Sequence, residues 1–189
     1  MRIPPIVLLI FFIFFVISFL TNILGPLIPD IIQSFELSLG LAGFLPFSFF
    51  VAYGVASIPA GILLEKYGEK KMMVFAFLLA FAGAVSFGQN PVFSTALFSL
   101  FLIGIGMAIL QVVINPLLRT AGGDVNFAFF SVMGQLFFGS ASFISPMLYS
   151  YLVANVHSGN NPGGIISLFD SLVAPDLKWV SLYWVFAVI

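Results

Sequence analysis

Long stretches without a single charged side chain constrain this chain more than any other feature. No Lys, Arg, Asp or Glu occurs between Arg2 and Asp30, between Glu36 and Glu65, or between Lys71 and Arg119. About 20 helical residues cross a bilayer core, so each run accommodates one crossing and the run after Lys71 accommodates two. Hydrophobic residues make up 61% of the chain and charged residues only 7%, whereas a soluble domain is about one quarter charged. Six Lys/Arg and seven Asp/Glu are too few to surround a soluble core of 189 residues. The runs are continuous, and far longer than the ten-residue alternating strands of a membrane barrel. Helices, which satisfy every backbone group internally, are the structure that lipid permits. The expectation is an all-α integral membrane protein.

Breaker residues divide the runs into spans at about 6–24, 38–64, 72–87, 93–118 and 126–153. Gly25-Pro26 and Pro29 are expected to kink or end the first, and Gly88-Gln89-Asn90-Pro91 to separate the third from the fourth. The segment 155–178 reads as a polar loop with a short interfacial helix near 165–173, and His157 within it as a solvated side chain. A sixth span begins at 179 and stops at 189, so five complete spans plus the start of a sixth are expected, from a truncated product. The first span lacks a small-x-small cleavage site and reads as a retained helix rather than a signal peptide. With the N-terminus cytoplasmic, Arg2, Lys66, Lys70, Lys71 and Arg119 fall inside and only Lys178 outside, which satisfies the positive-inside rule. The net charge of -1 offers no general attraction to nucleic acid, and the absence of Cys with a single His leaves no metal or cofactor set. No acid pair and no nucleophile beside a base points to an enzyme.

Polar side chains within spans are costly unless they meet a partner or line water. Asn22, Gln111, Asn115 and Gln135 are the four amides near or within the first, fourth and fifth spans. Amides both donate and accept, as sugar hydroxyls do, so they suit a cavity for a polyol; they also suit helix-to-helix bonds. Asn115 fits both roles equally, whereas Gln111 and Gln135 read as cavity residues. Phe47, Phe49, Phe50 and Tyr53 offer a stacking face. Gly54, Ser57 and Gly61, and Gly134, Gly139 and Ser142, recur at helical spacing and read as close-packing positions.

The loop Gly61-Ile62-Leu63-Leu64-Glu65-Lys66-Tyr67-Gly68-Glu69-Lys70-Lys71 resembles the signature loop between the second and third helices of major facilitator transporters. Glu65 stands where the family usually has Asp, and Glu69 where it usually has a base. The resemblance implies a gating role for Gly61, Glu65, Lys66, Gly68 and Lys70. Three further segments are similar to the fucose/glucose/galactose:proton symporter branch: Tyr53-Gly54 with Ile58-Pro59-Ala60-Gly61; Gly104-Ile105-Gly106 with Leu110-Gln111 and Asn115-Pro116; and Gln135 with Ser145-Pro146. The first span departs from that branch, reading Thr21-Asn22-Ile23-Leu24-Gly25-Pro26-Leu27-Ile28-Pro29 with no acid, and Gln111 stands where fucose permease has Glu. An amide does not titrate, so neither Asn22 nor Gln111 is a coupling carboxylate, and the coupling ion stays open between proton and sodium.

The resemblance implies the N-terminal six-helix half of a major facilitator fold in a bacterial-type inner membrane, with the C-terminal half as missing partner. It implies alternating-access transport of a small neutral solute, a hexose or related sugar. Carriage of another solute and an inactive fragment are the alternatives.

Overall fold

The structure, a computed structural model, describes residues 3–158 and 164–188. Arg2, the polar residues 159–163 and residue 189 therefore lie outside the described residues. The elements are α1 (Pro5–Asn22), α2 (Leu24–Phe35), α3 (Leu39–Ala42), α4 (Phe44–Tyr67), α5 (Glu69–Gln89), α6 (Phe93–Gly122), α7 (Phe127–Asn155), α8 (Ile165–Leu172), a 3-10 turn at Pro175–Val180, and α9 (Ser181–Val188). Five helical segments are long and apolar enough to cross a membrane: Pro5–Phe35, Leu39–Tyr67, Glu69–Gln89, Phe93–Gly122 and Phe127–Asn155.

The first segment runs further than its prolines suggest. Pro26 has no N–H for the Asn22 carbonyl, and the helix breaks at Ile23, between α1 and α2. Pro26 is then the third residue of α2, where an N–H has no helical acceptor in any case, and the chain stays helical past Pro29 to Phe35. The α4–α5 connection is Gly68 alone, at φ 76°, and α6 ends on Gly123 at φ 75°. Both are in the left-handed region that glycine enters without strain.

Helix α6 forms the centre, packed along α4 on one side and α5 on the other and touching α1; α1 packs on α7, and α9 on α5. Lipid supplies no hydrophobic force between helices, so close approach and interhelical hydrogen bonds hold the bundle. A methyl group added at Gly104 would meet the Phe49 carbonyl oxygen at 2.5 Å, one at Gly106 the Ala76 carbonyl at 2.7 Å, and one at Gly83 the Ser99 carbonyl at 2.8 Å. Gly134 lies against the Phe14 ring, whereas Gly54, Gly61 and Gly139 have nothing within 4 Å of an added methyl. Close packing within this chain therefore applies to Gly134 and not to the other three, which no described helix approaches. Across the α1–α7 seam, Ser18 Oγ donates to the Phe138 carbonyl at 2.6 Å and lies 3.1 Å from Ser142 Oγ, and Ser145 Oγ donates to the Phe19 carbonyl at 3.1 Å.

After α7 the chain folds back under specific ties. His157 is half-buried rather than solvated: its backbone N–H donates to Asp170 Oδ1 at 2.8 Å and its Nε2 lies 2.7 Å from the Val173 carbonyl oxygen. These bonds tie His157, at φ 55°, to the C-terminal end of α8. Trp179 Nε1 donates to Ser34 Oγ at 2.9 Å, and Phe87 stacks on Trp179 at a centroid distance of 5.6 Å and meets Tyr183 at a tilt at 4.4 Å. This aromatic cluster anchors α9 against α5.

Candidate functional site

Helices α1, α4, α6 and α7 each contribute one wall to a cleft of about 330 Å³ lined by Ile17, Thr21, Phe49, Phe50, Tyr53, Gln111, Gln135 and Phe138. Its volume is at the lower end of the range for small-molecule sites, about 300–1,000 Å³. The lining is apolar and aromatic with four polar groups, the usual composition of such sites. No charged side chain belongs to it.

The cleft brings together three of the residues singled out from the sequence. Tyr53 comes from α4, Gln111 from α6 and Gln135 from α7. Tyr53 and Gln111 are half-buried and Gln135 is exposed. Among the described residues the side chains of these three make no hydrogen bond. Two amides and a phenol left unspent within membrane-spanning helices are costly unless water or a ligand meets them.

Asn22 and Asn115 lie outside the lining. Asn22 is exposed on α1 next to Thr21, and its Nδ2 donates to the Ser18 carbonyl at 2.9 Å and to Ser18 Oγ at 3.0 Å. Asn115, one turn beyond Gln111, is exposed. The aromatic wall divides similarly. Phe49 is fully buried and stacks on Tyr53 at 6.2 Å, while Phe50 meets Phe49 edge-on at 5.2 Å and is itself 56% exposed, so Phe50 and Tyr53 carry the accessible ring surface. Phe47 faces away, in a separate notch with Gly40, Gly43 and Phe44. Thr21 was not anticipated as a lining residue; its position one residue before an amide near the break at Ile23 was the only signal. Its Oγ1 donates to the Ile17 carbonyl at 2.7 Å.

The signature-loop residues lie outside the cleft lining, at the C-terminal end of α4 and the start of α5. Gly61, Glu65 and Lys66 form the last turns of α4, Gly68 is the turn and Lys70 is in the first turn of α5. Glu65, Lys66 and Lys70 are exposed. The Lys66 Nζ sits 5.3 Å from the centroid of the Tyr67 ring. In the next connection on the same side, Arg119 Nε pairs with Asp124 Oδ1 at 2.6 Å, with both side chains exposed.

Residues 10–189 match the sequence profile of the Major Facilitator Superfamily. The chain belongs to that superfamily. Among curated major facilitator proteins, it is 29% identical over 143 residues to a glucose/galactose transporter of Brucella abortus, covering 74% of this chain and 35% of that protein. It is 29% identical over 147 residues to the L-fucose-proton symporter of Escherichia coli, covering 76% of this chain and 34% of that protein. The chain thus spans about a third of the length of these relatives. Among solved structures, the Escherichia coli fucose:proton symporter FucP matches at a TM-score of 0.64 and 22% identity, over 94% of this chain and 45% of that one. A crystal structure of FucP in the outward conformation matches at 0.66 and 24%, over 94% and 46%. These structures share the fold. The protein is an all-α integral membrane protein with the architecture of the N-terminal part of a major facilitator.

Proposed function

We propose that this chain supplies one half of a carrier's substrate site and that the substrate is a small neutral sugar, a hexose or a deoxyhexose. The observation that carries the reading is the meeting of Tyr53, Gln111 and Gln135, all without hydrogen-bond partners, around a neutral aromatic-walled cleft. Unspent groups that both donate and accept match the hydroxyls of a sugar ring, and the accessible rings of Phe50 and Tyr53 match its apolar face. The relatives named as glucose/galactose transporter and L-fucose-proton symporter support the same solute class.

A second six-helix half completes the site in this reading, and the two halves rock about it to expose it alternately to each side. Helices α4 and α7 carry the least buried spans, with Val55, Ile58, Val132, Phe143 and Met147 each at least 69% exposed, which is the apolar surface that a second half and lipid would cover. Glu65, Lys66 and Lys70, with Gly61 and Gly68, serve as the cytoplasmic gate. The cleft lining holds no carboxylate, so the coupling ion, proton or sodium, is not held by a carboxylate of this lining. The membrane is the cytoplasmic membrane of a bacterial-type cell.

Uptake of labelled D-glucose, D-galactose and L-fucose, in cells expressing the encoding gene at its natural length, tests the reading under imposed proton and sodium gradients. Saturable uptake of at least one sugar is expected. No uptake of any of them would sink the sugar assignment and leave a major facilitator of another solute. Orientation is tested separately. These 189 residues contain no Cys, so a single replacement here is read against the unreplaced natural-length protein. A membrane-impermeant maleimide applied to intact cells is expected to label Asp176→Cys and to spare Lys70→Cys until the membrane is opened. The reverse pattern would invert the topology.

A further inference from the structure

The wall of the cleft formed by α1 differs from the other three in one chemical respect. Thr21 Oγ1 donates its only proton to the Ile17 carbonyl at 2.7 Å. What remains to a ligand is a lone pair, so Thr21 accepts and does not donate. The neighbouring Asn22 has the same polarity for a different reason. Its amide faces the Ser18 backbone carbonyl at 2.9 Å. A carbonyl oxygen cannot donate, so the atom facing it must be Nδ2 and not Oδ1. Nδ2 also reaches Ser18 Oγ at 3.0 Å, where the oxygen is free to accept because Ser18 gives its own proton to the Phe138 carbonyl at 2.6 Å. The result is a chain of bonds with one direction, from the Asn22 amide through the Ser18 hydroxyl to the Phe138 backbone on α7. Such chains polarise their members in the same sense, which leaves Asn22 Oδ1 turned away from Ser18 as an acceptor.

Gln111 and Gln135, in contrast, have no partner among the described residues, and each offers both donor and acceptor. The polarity of the site is therefore split. The α6 and α7 walls adapt to whatever hydroxyl orientation they meet, and the α1 wall does not.

We infer that Thr21, on the α1 wall of the cleft, is a fixed hydrogen-bond acceptor that selects ligands able to donate a hydroxyl proton at that position; Asn22, turned the same way by buried Ser18, lies just outside the lining. The inference rests on the sugar reading above and extends it to the sense of the hydrogen bonds. It predicts discrimination between a hydroxyl and any group that only accepts, such as a fluorine or a methyl ether at the same carbon.

The test is competition against uptake of whichever of D-glucose, D-galactose and L-fucose the natural-length protein transports, using analogues with one hydroxyl at a time removed or replaced by fluorine. At the position read by Thr21, the deoxy and the deoxyfluoro analogue are both expected to compete about tenfold more weakly than the parent sugar, as for one lost hydrogen bond. Thr21→Val keeps the side-chain shape and is expected to weaken the parent sugar by about tenfold while making its analogues at that position no worse. Thr21→Ser restores the wild-type profile, since serine repeats the bond to the preceding turn. Deoxyfluoro analogues that compete as well as the parent sugar at every carbon would overturn the inference, as would an analogue profile unchanged in Thr21→Val, while sugar uptake itself stood. Absence of uptake of all three sugars would instead remove the sugar reading and this inference with it.

Discussion

Replacing Gly104 with valine is expected to stop the bundle from assembling, seen as loss of the protein from the membrane fraction and loss of a cooperative thermal transition in detergent. A Cβ at this position would lie 2.5 Å from the Phe49 carbonyl oxygen and 3.1 Å from Ala52 Cβ. The obstacle at Phe49 is backbone, which cannot rotate away, so α4 itself would have to move from α6. That seam is one of the two most extensive in the bundle, tied further by Ser48 Oγ donating to the Leu97 carbonyl at 2.8 Å. Overpacking a rigid contact costs about 1–3 kcal/mol in soluble cores and sometimes more. A displaced α4 would also draw Phe49, Phe50 and Tyr53 out of the cleft. Even Gly104→Ala is expected to lower the transition by several degrees. The control is Gly54→Ala, on an open face of α4, where an added methyl meets nothing within 4 Å and helix propensity improves by up to about 1 kcal/mol. Equal stability in Gly104→Val and Gly54→Ala would mean that α4 and α6 do not pack as described.

These two glycines also mark how far the sequence could be read. The crossings were legible because a run of uncharged residues about 20 long has few alternatives, and the turns at Gly68 and Gly123 were legible because each glycine follows a charged or polar helix end. Which glycines permit close approach was not legible. Gly54 and Gly61 recur at helical spacing just as Gly134 does, but spacing along one helix contains no information about which neighbour lies opposite. Position within a helix misled for Pro26. Two residues into a new helix it costs no hydrogen bond, so where a kink or an end was expected the chain breaks at Ile23 and continues helical to Phe35. The cleft was partly legible. Gln111 and Gln135 stood out because an amide in an apolar helix is rare enough to demand a reason. Thr21 did not, since a threonine satisfies itself on the preceding turn of its own helix and so carries no such demand. Phe50 could not be separated from Phe47 by sequence, because three residues along a helix share roughly one face and only the packing of α6 decides which ring borders the cleft.

Gln111→Ala and Gln135→Ala are each expected to lower kcat/KM for sugar uptake by roughly thirtyfold while leaving the amount of protein in the membrane unchanged. Each amide can form two hydrogen bonds to ring hydroxyls, and two neutral bonds at about 1 kcal/mol each correspond to that factor. The separation of the two readouts follows from the geometry. Neither amide has a hydrogen bond to lose inside the bundle among the described residues, so truncation removes an unmet polar group and costs the fold nothing. A helix-joining amide would behave in the opposite way, reducing membrane accumulation first. Asn115 supplies the internal comparison: it is exposed, one turn from Gln111, and outside the lining, and Asn115→Ala is expected to change uptake less than threefold. Gln111→Asn shortens the reach by one methylene and should fall between wild type and alanine. Gln111→Glu is more informative still. It places a carboxyl in a lining that has none, and burial disfavours its charged form, so the dependence of uptake on external pH should differ from that of the wild type. Loss of membrane protein in Gln111→Ala, with normal uptake per molecule remaining, would make this amide a joint between helices and move the solute site elsewhere.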